Sequence, residues 1–263
     1  MDGIERPLLH VVAGVVLNEA GDYLLSSRPE GKPYAGYWEF AGGKVEPGES
    51  ESAALRREFA EELGIKIRAA RPWLTKIYDY EHARVFLRFF RVEANQWTGE
   101  IQAREGQQWS WQKSGDFTVS PMLPANTLLL QALAVPSVLQ GSRSRGYWGE
   151  NCSGGYRIVP VEHKLQTALA DDDVHFLHEA APDAPVADGL WYYVERNGQW
   201  DFVPQNAAGV VWRAADGDSA AETVGRLRQG VPVPVLIDCT RSLYEQYAAD
   251  WLALGAHALV VND

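Results

Sequence analysis

Cysteine is almost missing from this sequence: 263 residues contain two, Cys152 and Cys239. No metal-ligand spacing joins them and they build no disulfide framework, so free thiols in a reducing cytosol are expected. Positive charge is also scarce. Lys and Arg number 24 against 35 Asp and Glu, for a net charge of −11 and a pI near 5.0. That balance excludes broad, sequence-independent binding to nucleic acid, which needs a basic surface. It leaves open a nucleotide whose phosphates are held by divalent cations. No window approaches the ~18 consecutive apolar residues of a membrane span. The start, Met1-Asp2-Gly3-Ile4-Glu5-Arg6-Pro7, has neither a basic region nor a long apolar stretch, so no signal peptide is expected. The expectation is a cytoplasmic protein without a membrane partner. There is no internal repeat and no low-complexity tract.

The apolar fraction of 46 % and charged fraction of 22 % are those of a globular protein. At roughly 100–200 residues per domain, the length fits one large domain or two smaller ones. Leu8 to Leu17 is apolar and β-branched, and Tyr23 to Ser27 reads as a return strand after the turn Asn18 to Asp22, so the two predict a hairpin. Gly31 to Gly36 is a loop rich in Gly, Pro and Lys, and Tyr37 to Phe40 a short strand. Glu51 to Leu63 predicts a helix with Ser52, Leu55, Phe59 and Leu63 as its stripe and Gly64 as its stop. Trp73 to Tyr80, Arg84 to Val92 and Gln107 to Gln112 alternate as strands, and Thr127 to Leu133 reads as a short helix.

Glu58, Glu61 and Glu62 stand at i, i+3 and i+4 of the predicted helix and share a face. Alone, such a trio is most often a solvated acidic face. The other explanation of like charges held together is a bound cation, and hard divalent ions take carboxylate oxygens while keeping waters and substrate phosphates as other ligands. The flanking residues decide between the two. From Gly43 the chain runs through five residues to Glu49, seven more to Arg57, and then Glu58-Phe59-Ala60-Glu61-Glu62-Leu63-Gly64-Ile65. This resembles the signature of the Nudix hydrolases, G-x5-E-x7-R-E-U-x-E-E-x-G-U, at all nine defined positions.

The resemblance implies an α/β/α sandwich with a mixed sheet over residues 1–135, and a loop–helix–loop metal site for Mg²⁺, with Mn²⁺ an alternative. Glu58 and Glu62 are implied as metal ligands, with Glu61 beside them and the backbone of Gly42, next to Gly43, as a further one. Glu49 would pair with and orient Arg57. Glu105, in a loop just before a strand, matches by position a distal glutamate of the MutT-type members and is implied as base or ligand. Lys44 would meet a phosphate oxygen, though an exposed side chain is as good a reading. The implied chemistry is metal-assisted hydrolysis of a phosphoanhydride.

Outside the signature, the first half resembles the MutT-type 8-oxo-dGTP diphosphatases. Glu39-Phe40-Ala41-Gly42-Gly43-Lys44 is similar to their approach to the box, and Tyr78-Asp79-Tyr80 with Val85 to Phe90 to their central strand pair. Leu123-Pro124-Ala125-Asn126 is similar to the segment whose asparagine reads the oxidised base. Asn offers one acceptor and two donors, enough for two edges of a purine; the competing role for Asn126 is helix N-cap. Arg28, Glu39, Phe40 and Tyr80 are further candidates for substrate contact, although bare aromatics are more often core. Three positions depart from the pattern: Ala41 replaces a proline, and Ser27 and Ala83 stand near arginine positions. The implied activity is release of a nucleoside monophosphate and pyrophosphate from a nucleoside triphosphate, most specifically 8-oxo-dGTP, which cleans the nucleotide pool of a mutagenic precursor. Another nucleotide, such as a dNTP or ADP-ribose, is the alternative within enzymes.

Residues 136–150 predict a linker, and 151–263 a smaller C-terminal α/β domain. Within it, 151–206 give weak signals such as Trp191-Tyr192-Tyr193, expected as core or interface, and the acidic turn Asp171-Asp172-Asp173. Residues 208–263 predict β-α-β-α-β: Gly209 to Trp212, Ala220 to Gln229, Val233 to Ile237, Leu243 to Leu254 and Ala258 to Val261. Gly209 to Asp216 and Ala253 to Val261 weakly resemble strands of the thiamine phosphate synthase barrel, but the remaining length is short of the roughly 200 residues a full barrel needs. A shortened barrel relative that packs, forms a homodimer or senses a ligand is expected. His163, His175 and His178 lack ligand spacing and are expected to be structural; Asp238 and Asp263, at ends of predicted parallel strands, are candidate ligand contacts.

Overall fold

The computed structural model describes residues 7–81, 83–114, 116–151, 154–163 and 173–262. The chain divides into two compact units, Met1–Thr127 and Leu128–Asp263.

In the first unit β1 (Leu8–Val16) runs parallel to β7 (Arg84–Val92) and antiparallel to β4 (Gly42–Lys44), and β6 (Arg71–Asp79) closes the sheet, in the order β4-β1-β7-β6. The last five residues of β1 and last six of β7 are wholly buried. Such runs belong to central strands covered on both faces. A second sheet has the order β3-β2-β9, from β2 (Tyr23–Ser27), β3 (Trp38–Glu39) and β9 (Trp109–Gln112), and β5 (Lys66–Ile67) pairs with β8 (Trp97–Thr98). The mixed α/β architecture is the expected one. The predicted hairpin is not formed as such: β1 and β2 share only a bridge between Leu17 and Tyr23. The Asn18 side chain accepts from the backbone of Ala20 and Asp22. The chain so turned enters a different sheet, because β1 takes β7 and β4 as its neighbours.

Helix α1 (Glu51–Glu62) starts where the Ser50 hydroxyl accepts from the Ala53 N–H, and it is followed by Gly64 at φ +71. Its apolar stripe packs Ala54, Leu55 and Phe59 against Val12 and Val16 of β1 and Phe90 of β7. Packing this face down leaves the glutamates of the other face free for the cavity side. Helix α2 (Pro124–Ala134) begins three residues before the expected Thr127, because Pro is well suited to a first helical turn.

In the second unit one eight-stranded sheet runs β10 to β17 in chain order: β10 (Gln140–Ser142), β11 (Gly146–Asn151), β12 (Gly154–Pro160), β13 (Asp173–Glu179), β14 (Leu190–Val194), β15 (Gly209–Ala214), β16 (Val235–Cys239) and β17 (Ala258–Val261). The first two pairings are antiparallel and the rest parallel. Helices α3 (Gly217–Gln229) and α4 (Arg241–Ala253) complete the expected β-α-β-α-β segment. The sheet curls until β10 lies near β17, and Tyr147, Tyr156, Leu177, Trp191, Val211, Leu236 and Val260 meet in one interior cluster. A sheet that curls on itself fills its inside with alternate side chains.

The segment 136–150 is thus not a linker, and the division falls within α2 rather than at residue 135. Gly141 and Gly146 adopt positive φ in the β10–β11 hairpin; turn residues of a tight hairpin have the composition of a linker. The weak signals of 151–206 hide β12, β13 and β14. Cys152, Asp171, Asp172 and Asp263 lie outside the described residues.

Candidate active site

α1 carries the acidic face and β4 delivers the loop that meets it. Arg57 is the centre of this joint: its Nε donates to Glu49 Oε1 at 3.0 Å and its Nη2 to Glu49 Oε2 at 2.9 Å. Nη2 also donates to the Lys44 carbonyl at 2.9 Å, and Nη1 to Glu58 Oε1 at 2.8 Å and Glu61 Oε2 at 3.3 Å. These bonds hold the Glu49 carboxyl below its ordinary range, chiefly through the Arg57 hydrogen bonds, and raise Arg57 through Glu49 and Glu58. A fork-to-carboxylate pair of this kind fixes orientation as well as adding energy.

Glu58 lies flat against Gly43: a Cβ on that residue would stand 2.1 Å from Glu58 Oε1. Only glycine lets the helix carboxylate approach the loop so closely. Glu58 and Glu62 are both 14 % exposed at the side chain, whereas Glu61 is 58 % exposed and turns toward Arg57. Burial pushes the Glu62 carboxyl up to about 7, with Glu105, Glu58 and Glu39 adding in the same direction and Lys32 opposing. Glu105 comes from the loop before β9. That loop is tied to the end of α1, since the Gln107 amide donates to the Glu62 carbonyl and its oxygen accepts from the Glu105 N–H, both at 2.8 Å.

Facing these groups is a cavity of about 510 Å³ whose walls include Gly42, Glu58, Glu62, Glu39, Phe40, Tyr80 and Asn126. Arg28 and Lys44 also line it. Arg28 Nη1 donates to both Glu39 oxygens at 2.7 Å. Burial raises the Glu39 carboxyl while Arg28 opposes it. Phe40 is 3 % exposed and packs on Tyr23 and Phe89, so it is core with one edge on the cavity. Tyr80 packs on Tyr78 and Tyr34, and burial, with Glu39 near it, raises its hydroxyl. Asn126 is 4 % exposed, and its Nδ2 has no hydrogen-bond partner among the described residues. It sits in the first turn of α2, not before it, so the N-cap reading falls away. Of the departures, Ser27 Oγ accepts from the Gln108 N–H at 2.9 Å and Ala83 lines the cavity.

Two residues of the site went unnoticed in the sequence: Lys32, whose ammonium is 2.7 Å from Glu105 Oε2 and 3.7 Å from Glu62 Oε1, and Gln107. Lys32 had only its basic character in a Gly- and Pro-rich loop to mark it, and Gln107 had nothing. As the side chains stand, no group of three or more acidic, His or Cys side chains among the described residues is spaced to hold a metal. Glu58 is turned to Arg57, and Glu62 and Glu105 to Lys32. The donor set nevertheless fits a hard divalent ion: it is all carboxylate oxygen, the gap beside Gly43 would be filled by any Cβ, and it already accepts a cation.

In the second unit Asp238 is 2 % exposed. Its carboxylate accepts from Tyr147 Oη at 2.5 Å, from Asn262 Nδ2 at 2.9 Å and from Arg213. His175 stacks on Tyr156 and contacts the Gly189 carbonyl. Trp191, Tyr192 and Tyr193 are buried core. No helix of the described chain is long and apolar enough to cross a membrane.

A mixed sheet with a carboxylate helix facing a cavity of apolar and charged walls suits hydrolysis of a phosphoanhydride. Residues 8–131 match the NUDIX domain. The 8-oxo-dGTP diphosphatase of Haemophilus influenzae is 35 % identical over 130 residues, 49 % of this chain and 94 % of that one. The CTP pyrophosphohydrolase of Escherichia coli is 36 % identical over 125 residues, 48 % of this chain and 90 % of that one. A solved structure of MutT from Aliivibrio salmonicida and Vibrio cholerae is 32 % identical and covers 48 % of this chain and 97 % of its own, with a TM-score of 0.42. The chain belongs to the Nudix hydrolase family, whose members depend in general on divalent metal ions.

Proposed function

We propose that this chain hydrolyses 8-oxo-dGTP to 8-oxo-dGMP and pyrophosphate with Mg²⁺, or Mn²⁺ in its place. The observation that carries the reading is the unpartnered Asn126 amide. A buried donor without a partner is costly, and this one lines the same cavity as the carboxylates. Oxidation at C8 of guanine converts N7 from an acceptor into an N–H donor beside the O6 acceptor. An Asn side chain can accept from the first and donate to the second, whereas with unoxidised guanine its oxygen would face a lone pair. Phe40 and Tyr80 supply apolar and aromatic walls for the base, and Arg28 holds Glu39 at its edge.

Glu58, Glu62, Glu61 and Glu105 would hold the metal together with the Gly42 backbone. The metal supplies charge neutralisation on the phosphoryl oxygens and activation of water. Arg57, locked by Glu49, orients Glu58; Lys44 stands where it can meet a phosphate oxygen. The similarity to the H. influenzae and E. coli 8-oxo-dGTP diphosphatases supports this substrate. The equal similarity to a CTP pyrophosphohydrolase supports a second reading, in which cytosine occupies the cavity. The second unit we assign to a shortened relative of the thiamine phosphate synthase barrel, supported by its six neighbouring parallel strands and the approach of β10 to β17.

Steady-state kcat/KM for 8-oxo-dGTP, dGTP and CTP with Mg²⁺ separates the readings. Preference for the oxidised nucleotide over dGTP is expected; a higher value for CTP would select the second reading, and activity on none would end both.

A further inference from the structure

Arg57 and Lys32 both neutralise carboxylates of the site, but in different ways. Arg57 makes two bonds to Glu49 and three more to Lys44, Glu58 and Glu61; it is a clamp. Lys32 has one short bond to Glu105 and one longer approach to Glu62, and its side chain is 44 % exposed. A partly exposed lysine pair of this sort contributes too little to stability for a structural brace. Its placement is nevertheless specific. The ammonium bridges the two walls of the site, the end of α1 and the loop before β9.

The loop that carries Lys32 is pinned at its base. Arg28 N–H donates to the Tyr37 carbonyl at 2.8 Å, Gly36 N–H to the Arg28 carbonyl at 2.9 Å, and Arg28 Nε to the Pro33 carbonyl at 2.7 Å. Its tip therefore stays beside the cavity, which Lys32, Pro33 and Tyr34 help to line. A flexible four-carbon stem on a fixed base gives the ammonium a short arc within the cavity.

We propose that Lys32 is an exchangeable counter-cation of the active site: it holds Glu62 and Glu105 while no metal is bound, yields them to the divalent ion, and then pairs with the polyphosphate of the substrate. This rests on the reading of Glu62 and Glu105 as metal ligands. The exchange moves one positive charge from carboxylate to phosphate and breaks no covalent bond. It keeps Glu62 and Glu105 from being left as two uncompensated carboxylates before loading, and it places a cation on the substrate's negative charge afterwards.

The test uses the full chain and two readouts. Mn²⁺ affinity is measured by electron paramagnetic resonance, without nucleotide, for the wild type, Lys32→Gln, Lys32→Arg and Glu62→Gln. KM for a nucleoside triphosphate is measured at saturating Mg²⁺ for the wild type and the lysine variants. Lys32→Gln is expected to bind Mn²⁺ about fivefold more tightly, having lost the competing cation, and to raise KM about tenfold, the loss of one charge-assisted bond. Lys32→Arg should stay near wild type in KM. If Glu62→Gln weakens Mn²⁺ binding while Lys32→Gln leaves it unchanged, the counter-cation role is overturned and the metal site stands. If Glu62→Gln has no effect on Mn²⁺ affinity, the ligand assignment beneath it fails instead. Tighter metal binding with an unchanged KM would overturn the phosphate half.

Discussion

In the second unit the buried Asp238 carboxylate accepts from Tyr147, Arg213 and Asn262, while in the first the buried Asn126 Nδ2 has no partner among the described residues and Glu62 meets a loosely held lysine. Both sites place polar groups in low-dielectric surroundings, and only the one around Asp238 satisfies its carboxylate internally. A closed network rigidifies its fold. An open one keeps its capacity for something that arrives from solution. Position alone does not make the difference, because Asp238 stands on β16 of a parallel run, near the strand ends where such sheets commonly place ligands. What separates the two regions is whether partners are already present.

Four changes would break or sharpen that contrast. The largest effect is expected from Glu58→Gln, which should lower turnover of the preferred nucleotide by about 10²–10³-fold, the scale on which removing one charge-stabilising group acts. Steady-state rates measure it, with circular dichroism verifying the fold. Next is Asp238→Ala, which leaves Arg213 and Tyr147 without their acceptor and should cost about 3–5 kcal/mol of stability while nucleotide hydrolysis at low temperature is retained; urea titration and activity on the same sample decide it. Loss of activity in step with unfolding of that network would show that the two units do not divide their labour in this way.

Asn126→Ala should lower kcat/KM for 8-oxo-dGTP by about 10- to 100-fold, the worth of one bidentate base contact, and change dGTP far less. An equal drop for both would make Asn126 a packing residue. The smallest effect is a pH slope. The folded-state Glu62 carboxyl stands at about 7 against an ordinary 4.5, so the folded protein holds that proton over an interval where the unfolded chain has released it. Its contribution to stability is fully present below about 4.5 and is lost as pH rises through about 7. Thermal melts of the metal-free protein should show this fall, and Glu62→Gln should remove it.

The first unit was far more legible than the second. Arg84–Val92 and Ala258–Val261 emerge in the structure with the limits expected of them, and α1 ends within a residue of Leu63. The β1–β2 pairing did not, since strand pairing is decided by which neighbour buries a strand better, and β7 was farther along the chain. The segment 136–150 misled because hairpin turns and linkers share glycine and serine. β12 to β14 were obscure because their burial does not follow a clean alternation: β12 ends in three consecutive buried residues and β14 in four.

The amino-acid sequence by itself determined the helix of Glu58, Glu61 and Glu62, the glycines before it, Arg57 with Glu49 eight residues back, and hence the family. These are local relations, set by helical spacing and by a short loop that can reach only so far. Tertiary structure alone decided that Lys32 would bridge Glu62 and Glu105 across a separation of 73 residues from the second of them, that Gln107 would pin the Glu105 loop to the end of α1, and that Asn126 would be buried with a bare amide. Such meetings depend on how sheets and helices pack, and no spacing along the chain encodes them.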